Sequence, residues 1–383
     1  MPKILFFINE DWAFLLQWRR LAEACRAAGW EVVIATHVTD RAQEIVDAGF
    51  VLEPLPFERR GVNPLKEVRT LLALAAILRR HRPDLMHCIA VKPVLYGALV
   101  AGLAVRCPVI GTFSGLGYVF TGRGLAVRLL AAVVAPALRV ALGLAAVDLI
   151  VQNDDDRLEV ARLGLVDPRR VTVIPGGVGV DLDAFPALPP PKTTPIIFAL
   201  VARMLADKGV VEAVDAIGLA RSRGADCRLW LVGGPDPQNP TAISEDTLRR
   251  WQRDGAAEWL GHRADIVAIW RQAHVALLPS YREGMPTALM EAASCGRPIL
   301  TTDVPGCRAV IEDGVEGLLV PARDAAALAD AIVRLVAEEP VRLSMGRAAR
   351  RRAERWFDHR RVSEAHLAVY RKKLAAIDQA DGA

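Results

Sequence analysis

The chain has no run of about 20 consecutive apolar residues, the length a bilayer-spanning helix requires. The nearest stretches are Pro93 to Val105, which is too short, and Leu125 to Val147, which Arg128, Pro136 and Arg139 interrupt. The opening Met1-Pro2-Lys3-Ile4-Leu5-Phe6-Phe7 runs directly into strand-like sequence without the pattern of a secretory signal, so a cytoplasmic location is expected. Six cysteines (Cys25, Cys88, Cys107, Cys227, Cys295, Cys307) show no Cys-x-x-Cys or other metal spacing and sit mostly among apolar neighbours, which points to buried thiols in a reducing compartment. Seven histidines form no i, i+4 pair or zinc signature, and no metal site is expected. Neither Gly115-Leu116-Gly117 nor the loop after the first strand completes a dinucleotide fingerprint, which argues against a nicotinamide dehydrogenase. Low-complexity sequence is confined to one proline-rich run.

What is present is a globular composition, 52% hydrophobic and 24% charged over 383 residues, enough for two domains with cores of their own. Short apolar segments alternate with helical ones. Strands are expected over Lys3 to Asn9, Glu31 to Thr36, Asp84 to Ile89, Val109 to Phe113, Leu149 to Gln152 and Val171 to Ile174, with helices around Gln17 to Ala28, Arg41 to Ala48, Leu65 to Arg80 and Leu125 to Leu144. Continuous apolar strands between helices imply a parallel, doubly wound sheet. The run Pro186-Ala187-Leu188-Pro189-Pro190-Pro191-Lys192-Thr193-Thr194-Pro195 marks a boundary, and a second sheet follows it: Ile196 to Ala202, Arg228 to Val232, Glu258 to Leu260, Val275 to Pro279, Ile299 to Thr301 and Gly317 to Val320. The expected division is 1–187, rejoined by a C-terminal helix within 360–383, and 188–359. Doubly wound sheets bind ligands at the C-terminal ends of their strands, so a crevice shared by the two domains is where chemistry is expected.

The net charge of +4 hides an asymmetry, since between Arg59 and Arg139 twelve basic residues stand against two acidic ones. A basic stretch beside apolar helices suits an anionic membrane surface or a phosphorylated acceptor, at about 1 kcal/mol per basic group near an anionic leaflet. It lacks interleaved aromatics and any nucleic-acid module, which ranks nucleic acid low as a partner. Asp154-Asp155-Asp156 is read as a helix N-terminus, where acids complement the dipole, in preference to a Mg²⁺ site. His87 ends a strand and is read as packing.

The most informative segment is Glu283-Gly284-Met285-Pro286-Thr287-Ala288-Leu289-Met290-Glu291. It follows an apolar strand, Gly284 permits close backbone approach, and Pro286 has a φ suited to a first helical position. Free N–H groups at such a helix start attract a diphosphate, and Glu283 and Glu291 can accept hydrogen bonds from hydroxyls. Phosphate plus polyol suggests a nucleotide sugar. Arg203 and Lys208 follow the strand Ile196 to Ala202 and together suit a departing diphosphate. Gly233-Gly234-Pro235-Asp236, Leu260-Gly261-His262-Arg263-Ala264-Asp265-Ile266 and Asp303-Val304-Pro305-Gly306-Cys307 are further strand-end loops. Lys92 and the Gly115 to Gly117 loop end strands of the first domain and are the acceptor-side candidates.

This pattern resembles the family-four retaining glycosyltransferases of the GT-B fold, through the two glutamates separated by seven residues, the Arg203/Lys208 cation pair and the 260–266 loop. The runs Ser114 to Thr121, Val151 to Asp156, Pro279 to Gly284 and Val232 to Gly234 bring it nearest to the bacterial subgroup acting on undecaprenyl diphosphate-linked sugars, N-acetylgalactosaminyl transferases among them. The resemblance implies an α/β fold of two Rossmann-like domains across a cleft. It implies that Glu283 faces the sugar, Glu291 the ribose, and Arg203 with Lys208 the diphosphate, with N–H groups of Gly284, Met285 and Thr287 completing a cradle to which Pro286 cannot donate. Gly233 and Arg263 belong to the donor side; Lys92, Ser114, Gly115 and Asn9 to the acceptor side. The family often has His where Ser114 stands, and a glycine pair where this chain has Asn9-Glu10-Asp11-Trp12. It further implies a UDP-sugar donor, a polyprenyl diphosphate-sugar acceptor, no cofactor, and a peripheral position on the inner face of the cell membrane. Removal of Arg203 or Lys208 should then lower turnover by roughly two to three orders of magnitude. A nucleotide-sugar 2-epimerase and a catalytically silent sugar-nucleotide scaffold remain the alternatives.

Overall fold

The structure is a computed structural model and describes residues 1–58, 63–113, 125–237 and 239–381. They fall into two compact units, one comprising Met1–Val178 with the segment from Arg360 on, the other Gly179–His359.

In the first unit the order is β1 (Lys3–Glu10), α1 (Asp11–Ala13), a π-helical turn (Phe14–Trp18), α2 (Arg19–Ala27), β2 (Glu31–His37), α3 (Ala42–Asp47), β3 (Val51–Pro54), α4 (Pro64–His81), β4 (Leu85–Ile89), α5 (Val91–Leu103), β5 (Val109–Phe113), α6 (Leu125–Leu144), β6 (Asp148–Val151), α7 (Asp154–Arg162) and β7 (Val171–Val173). The seven strands are parallel in the order β3-β2-β1-β4-β5-β6-β7. Every residue of β1 from Ile4 to Ile8 is buried, as a central strand covered on both faces demands. The period of two sends Leu5 and Phe7 into one apolar cluster and Ile4, Phe6 and Ile8 into the other.

That second cluster is completed by the C-terminal helix. Val362, His366 and Tyr370 recur at four-residue spacing, and Val362 and Tyr370 join Ile4, Phe6, Trp18 and Trp30 in the same core. His87 lies in the middle of β4 and is fully buried: its Nδ1 is 2.8 Å from the Tyr370 hydroxyl and its Nε2 2.7 Å from Thr112 Oγ1. Burial first, then the neighbouring His366, hold His87 well below the usual imidazole range. It is a packing residue, inside the sheet rather than at its rim.

The first helix starts earlier than the expected Gln17. Asp11, buried at the end of β1, accepts hydrogen bonds from the Trp12 N–H (2.8 Å), the Thr39 N–H (2.8 Å) and hydroxyl (2.7 Å), and the Arg41 N–H (3.1 Å). Burial pushes this carboxyl up, but the hydrogen bonds outweigh it and hold the group below the ordinary value. The backbone therefore turns helical at Asp11. The short strand β3 was not read from the sequence. The three aspartates at 154–156 do open α7, where Asn153 caps the helix by accepting from the Asp156 N–H at 2.7 Å. Among the described residues no group of three or more His, Cys, Asp or Glu is placed to hold a metal ion, and no helix is long and apolar enough to cross a membrane. All six cysteines are free and buried, and burial pushes the thiols of Cys25, Cys107, Cys295 and Cys307 up to about 12.

The second unit contains β8 (Ile196–Val201), α8 (Val210–Ser222), β9 (Cys227–Val232), α9 (Glu245–Arg253), β10 (Glu258–Gly261), α10 (Ile266–Gln272), β11 (Val275–Leu278), α11 (Thr287–Ser294), β12 (Ile299–Thr302), α12 (Pro305–Val310), β13 (Gly317–Val320), α13 (Ala325–Ala337) and α14 (Glu339–Trp356), with α15 (His359–Asp381) leading back to the first unit. Its six parallel strands run β10-β9-β8-β11-β12-β13. The proline-rich run is part of this unit. Arg297 Nη2 donates to the Pro189 carbonyl at 2.7 Å and Arg350 Nη1 to that of Phe185 at 3.1 Å, so the segment is fastened down and the division falls ahead of it, at Val178/Gly179.

Candidate active site

In the second unit the strand order reverses between β8 and β11, since the chain builds outward from β8 to β10 on one side and from β11 to β13 on the other. Loops leaving neighbouring strands at such a point diverge and open a crevice at the C-terminal edge. Arg203 and Lys208 lie in the loop after β8, and Glu283 in the loop after β11.

These two loops are joined by charge. Lys208 Nζ lies 2.6 Å from Glu283 Oε1, and the same oxygen accepts from Ser280 Oγ at 2.6 Å. Glu283 retains 9% side-chain exposure and Lys208 23%, so the pair sits at the rim of the interior, where a charge is screened less than on an open surface. Ser280 is fully buried. Lys208 ends a 3₁₀ turn, Ala206–Lys208, and Gly209 then takes φ +70° to start α8. A Cβ on Gly209 would stand 2.0 Å from the Pro279 carbonyl oxygen, so glycine is required for the two loops to touch. The Tyr281 N–H donates to the Asp207 carbonyl at 2.9 Å and closes the same junction.

Arg203 is held differently. Its Nη1 pairs with Asp236 Oδ2 at 2.6 Å, while more than half of the side chain stays exposed. Asp236 belongs to the loop after β9, where Gly233 adopts φ +145° and a Cβ would lie 1.8 Å from the Ala202 carbonyl oxygen. The Gly233 N–H donates to the Gly261 carbonyl at 2.8 Å, and Trp259 Nε1 to the Gly233 carbonyl at 2.8 Å. The loop after β12 meets the other side. Thr302 Oγ1 donates to the Ser280 carbonyl, and a Cβ on Gly306 would stand 2.4 Å from the Gly284 carbonyl oxygen. The five strand-end loops read from the sequence thus form one contiguous arc.

Glu291 lies on α11 with Thr287 and Ala288 on the helix's less buried face, opposite the buried Leu289, Met290, Ala292 and Ala293. Pro286 is one position earlier than expected. Its carbonyl accepts from the N–H groups of Leu289 (3.1 Å) and Met290 (3.3 Å) and its ψ of 105° is extended, so it caps the helix and Thr287 is the first helical residue. Gly284 and Met285 are half-buried in the loop ahead of it. Arg263 is exposed, and no described hydrogen bond or ion pair brings it to the Lys208–Glu283 pair. Asp236 and Gly306 belong to strand-end loops already named, whereas Ser280 and Thr302 were not singled out, although Ser280 stands only three residues before Glu283.

In the first unit the reversal falls between β1 and β4. Asn9 stands at the C-terminal end of β1, and its Oδ1 is buried without a hydrogen-bond partner. Lys92, in the first turn of α5 after β4, directs its ammonium at Glu67 Oε1 (2.8 Å) and the Glu58 carbonyl (2.7 Å), over the rings of Phe57 and Tyr96. Ser114 and Gly115 lie outside the described residues.

The whole chain overlays on a sucrose-phosphate synthase from Thermosynechococcus elongatus with a TM-score of 0.80 at 21% identity, covering 98% of this chain and 100% of that one. Anabaena HepE, determined with UDP and glucose, overlays with a TM-score of 0.76 at 18% identity, covering 97% and 100%. The architecture is the GT-B fold, two Rossmann-like parallel-sheet domains. Two family models carry this further: "Glycosyl transferase 4-like" matches residues 3–153 and "Glycosyl transferases group 1" matches residues 195–338. The chain belongs to the group 1, 4-like glycosyltransferases. It is 26% identical over 352 residues to the N,N'-diacetylbacillosaminyl-diphospho-undecaprenol alpha-1,3-N-acetylgalactosaminyltransferase of Campylobacter jejuni, covering 89% of this chain and 90% of that one. It is also 26% identical over 310 residues to the UDP-Gal:alpha-D-GlcNAc-diphosphoundecaprenol alpha-1,3-galactosyltransferase of Escherichia coli, covering 78% and 77%.

Proposed function

We propose that this glycosyltransferase moves a sugar, an N-acetylhexosamine, from a UDP-sugar to a polyprenyl diphosphate-linked sugar with retention of anomeric configuration, in the assembly of a surface polysaccharide or glycan. The observation that carries the reading is the Lys208–Glu283 pair, with Arg203 alongside, at the strand-order reversal of the second unit. The two relatives just described support it, since their names give transfer of an N-acetylgalactosaminyl group, or of galactose from UDP-Gal, to a lipid-linked diphosphate sugar.

In this reading the bond between the anomeric carbon and the β-phosphate oxygen breaks as the acceptor hydroxyl bonds to the same face of that carbon. The hydroxyl proton passes to the departing phosphate oxygen, and UDP leaves. Negative charge grows on the diphosphate during this step, and Lys208 and Arg203 stabilise it. Glu283 accepts a sugar hydroxyl and fixes the Lys208 ammonium, Glu291 accepts from the ribose, and backbone N–H groups of Gly284, Met285 and Thr287 hold phosphate oxygens. Gly233 and Arg263 border the nucleotide. Asn9, Lys92, Ser114 and Gly115 belong to the acceptor side, and the basic stretch 59–139 favours an anionic membrane surface on the cytoplasmic side.

The test is incubation with a panel of nucleotide sugars and a polyprenyl diphosphate-sugar, with the lipid product read by mass and its new linkage by NMR. Elongated lipid of retained configuration is the expected outcome. Free epimer without elongation would establish the epimerase instead, and binding without turnover the scaffold. Because two side-chain cations supply the positive charge and no cofactor is needed, turnover should be unchanged by EDTA; loss of activity restored by Mg²⁺ would overturn that part.

A further inference from the structure

At the opposite edge of the second unit's sheet lies a cavity of about 380 Å³, lined by the starts of β11 and β12, the proline-rich run and α14. The four residues of β11 alone separate this edge from the Ser280–Glu283 loop by about 13 Å. The cavity is therefore distinct from the donor site.

Its lining is one-sidedly cationic. Arg297 is 1% exposed and makes no ion pair with a carboxylate among the described residues. One of its nitrogens, Nη2, donates to the Pro189 carbonyl, and its Nε is buried with no partner at all. A buried guanidinium without a counter-charge is costly, and native interiors tolerate one where something else supplies the charge. Burial lowers Arg297 only to about 10, so it remains a cation at neutral pH. From the other wall, Leu343, Arg347, Arg350 and Arg351 recur at the helical spacing that gathers them on one face of α14. Arg347 and Arg351 are exposed and have no hydrogen bond or ion pair with any described residue, although like charges four apart on a helix repel.

The other charged groups are accounted for. Arg342 donates to the Leu335 carbonyl at the end of α13 and has Glu339 nearby. Arg350 pairs with Glu354 at 2.7 Å and holds the Ser294 and Phe185 carbonyls. His274 accepts the Ile197 N–H at Nδ1, and the Thr193 carbonyl lies near its ring. No carboxylate lines the cavity, and Leu188, Pro190, Pro191 and Leu343 make up its apolar wall.

We propose that this cavity is a second anion site, taking the phosphoryl group of an amphiphilic phosphate whose apolar remainder lies against the prolines and Leu343. Arg297 supplies the buried charge at its floor and Arg347 with Arg351 the charge at its mouth. Two sources share that chemistry, the headgroup of an anionic lipid and a soluble phosphate ester, and the experiment separates them.

The full chain is saturated with UDP, so that the donor site is filled, and titrated calorimetrically with inorganic pyrophosphate. Wild type is expected to bind one equivalent, R347E/R351E at least tenfold more weakly, and R297M likewise. Both mutated α14 residues are exposed, so the double variant should keep its thermal midpoint within a few degrees; R347Q/R351Q serves if it does not. In parallel, flotation is measured with phosphatidylglycerol–phosphatidylcholine vesicles. Weaker pyrophosphate binding together with severalfold reduced flotation assigns the site to a lipid headgroup, and weaker pyrophosphate binding with unchanged flotation assigns it to a soluble ester. Equal pyrophosphate binding by wild type and the double variant, or none by wild type, overturns the proposal whatever the vesicles do.

Discussion

Lys208 and Arg203 carry the same formal charge into the same arc of loops but stand in different dielectric surroundings. Lys208 is mostly enclosed and shares Glu283 with Ser280, whereas Arg203 is more than half exposed and shares its fork with Asp236. A charge in the less screened position does more for a developing anion. Lys208→Ala should therefore lower kcat by about two to three orders of magnitude, corresponding to about 2.7 to 4 kcal/mol, and Arg203→Ala by the smaller end of that range. Steady-state kinetics with a thermal-melt control checks this, since Lys208→Ala also leaves a largely buried carboxylate without its cation. Near-normal turnover in both variants would remove the cations from the mechanism. That Arg203, Lys208 and Glu283 stand in strand-end loops was legible because each follows an apolar strand. Their partners were less so: Asp236 is 33 positions from Arg203, a pairing that only the order of β9 beside β8 creates. Lys92 shows the converse, a strand-end cation whose ammonium is turned toward Glu67 on α4.

At the scale of elements, the strand-end loops of the second unit are fixed to one another through glycines where a Cβ would collide with backbone. Gly306, on the first turn of α12, lies against the carbonyls of Glu283 and Gly284, so Gly306→Ala must move the loop that carries Glu283. We expect KM for the nucleotide sugar to rise at least tenfold while the thermal midpoint shifts by only a few degrees; unchanged KM would show that the loop is not positioned by this contact. Most strands and the helices α4 and α6 were legible from apolar periodicity. The early start of the first helix was not, because it depends on Asp11 accepting hydrogen bonds from Thr39 and Arg41, a contact across the sheet. The edge strand β3 escaped notice because Val51–Pro54 is short, only partly buried and ends in proline. Several basic residues of the 59–139 stretch likewise have partners just outside it: Lys66 pairs with Glu58, and Arg80 with Glu53 at 3.0 Å.

For the molecule as a whole, acid sensitivity follows from the histidines between the first sheet and α15. His366 donates from Nδ1 to the Val362 carbonyl at 2.9 Å, its Nε2 is buried without a partner, and burial lowers it from 6.5 to about 4. The folded state then binds fewer protons than the unfolded state between these values. Stability is full above about 6.5 and falls as the pH drops through that window, by about 2 kcal/mol from His366 alone between pH 7 and pH 5. His87, shifted in the same direction, adds to the loss. Urea midpoints at the two pH values, with His366→Gln as the control that flattens the difference, check it; equal midpoints in wild type would refute it.

The hydrogen bond between His87 and Tyr370 spans 283 positions of chain. During synthesis the sheet of the first unit lacks the side chains that seal one of its faces until α15 has been made, which follows the whole of the 179–359 unit in the chain. The usual vectorial order, amino-terminal domain first, is thereby reversed for completion, and Ile4, Phe6 and Trp18 must be shielded from aggregation or chaperoned until α15 leaves the ribosome.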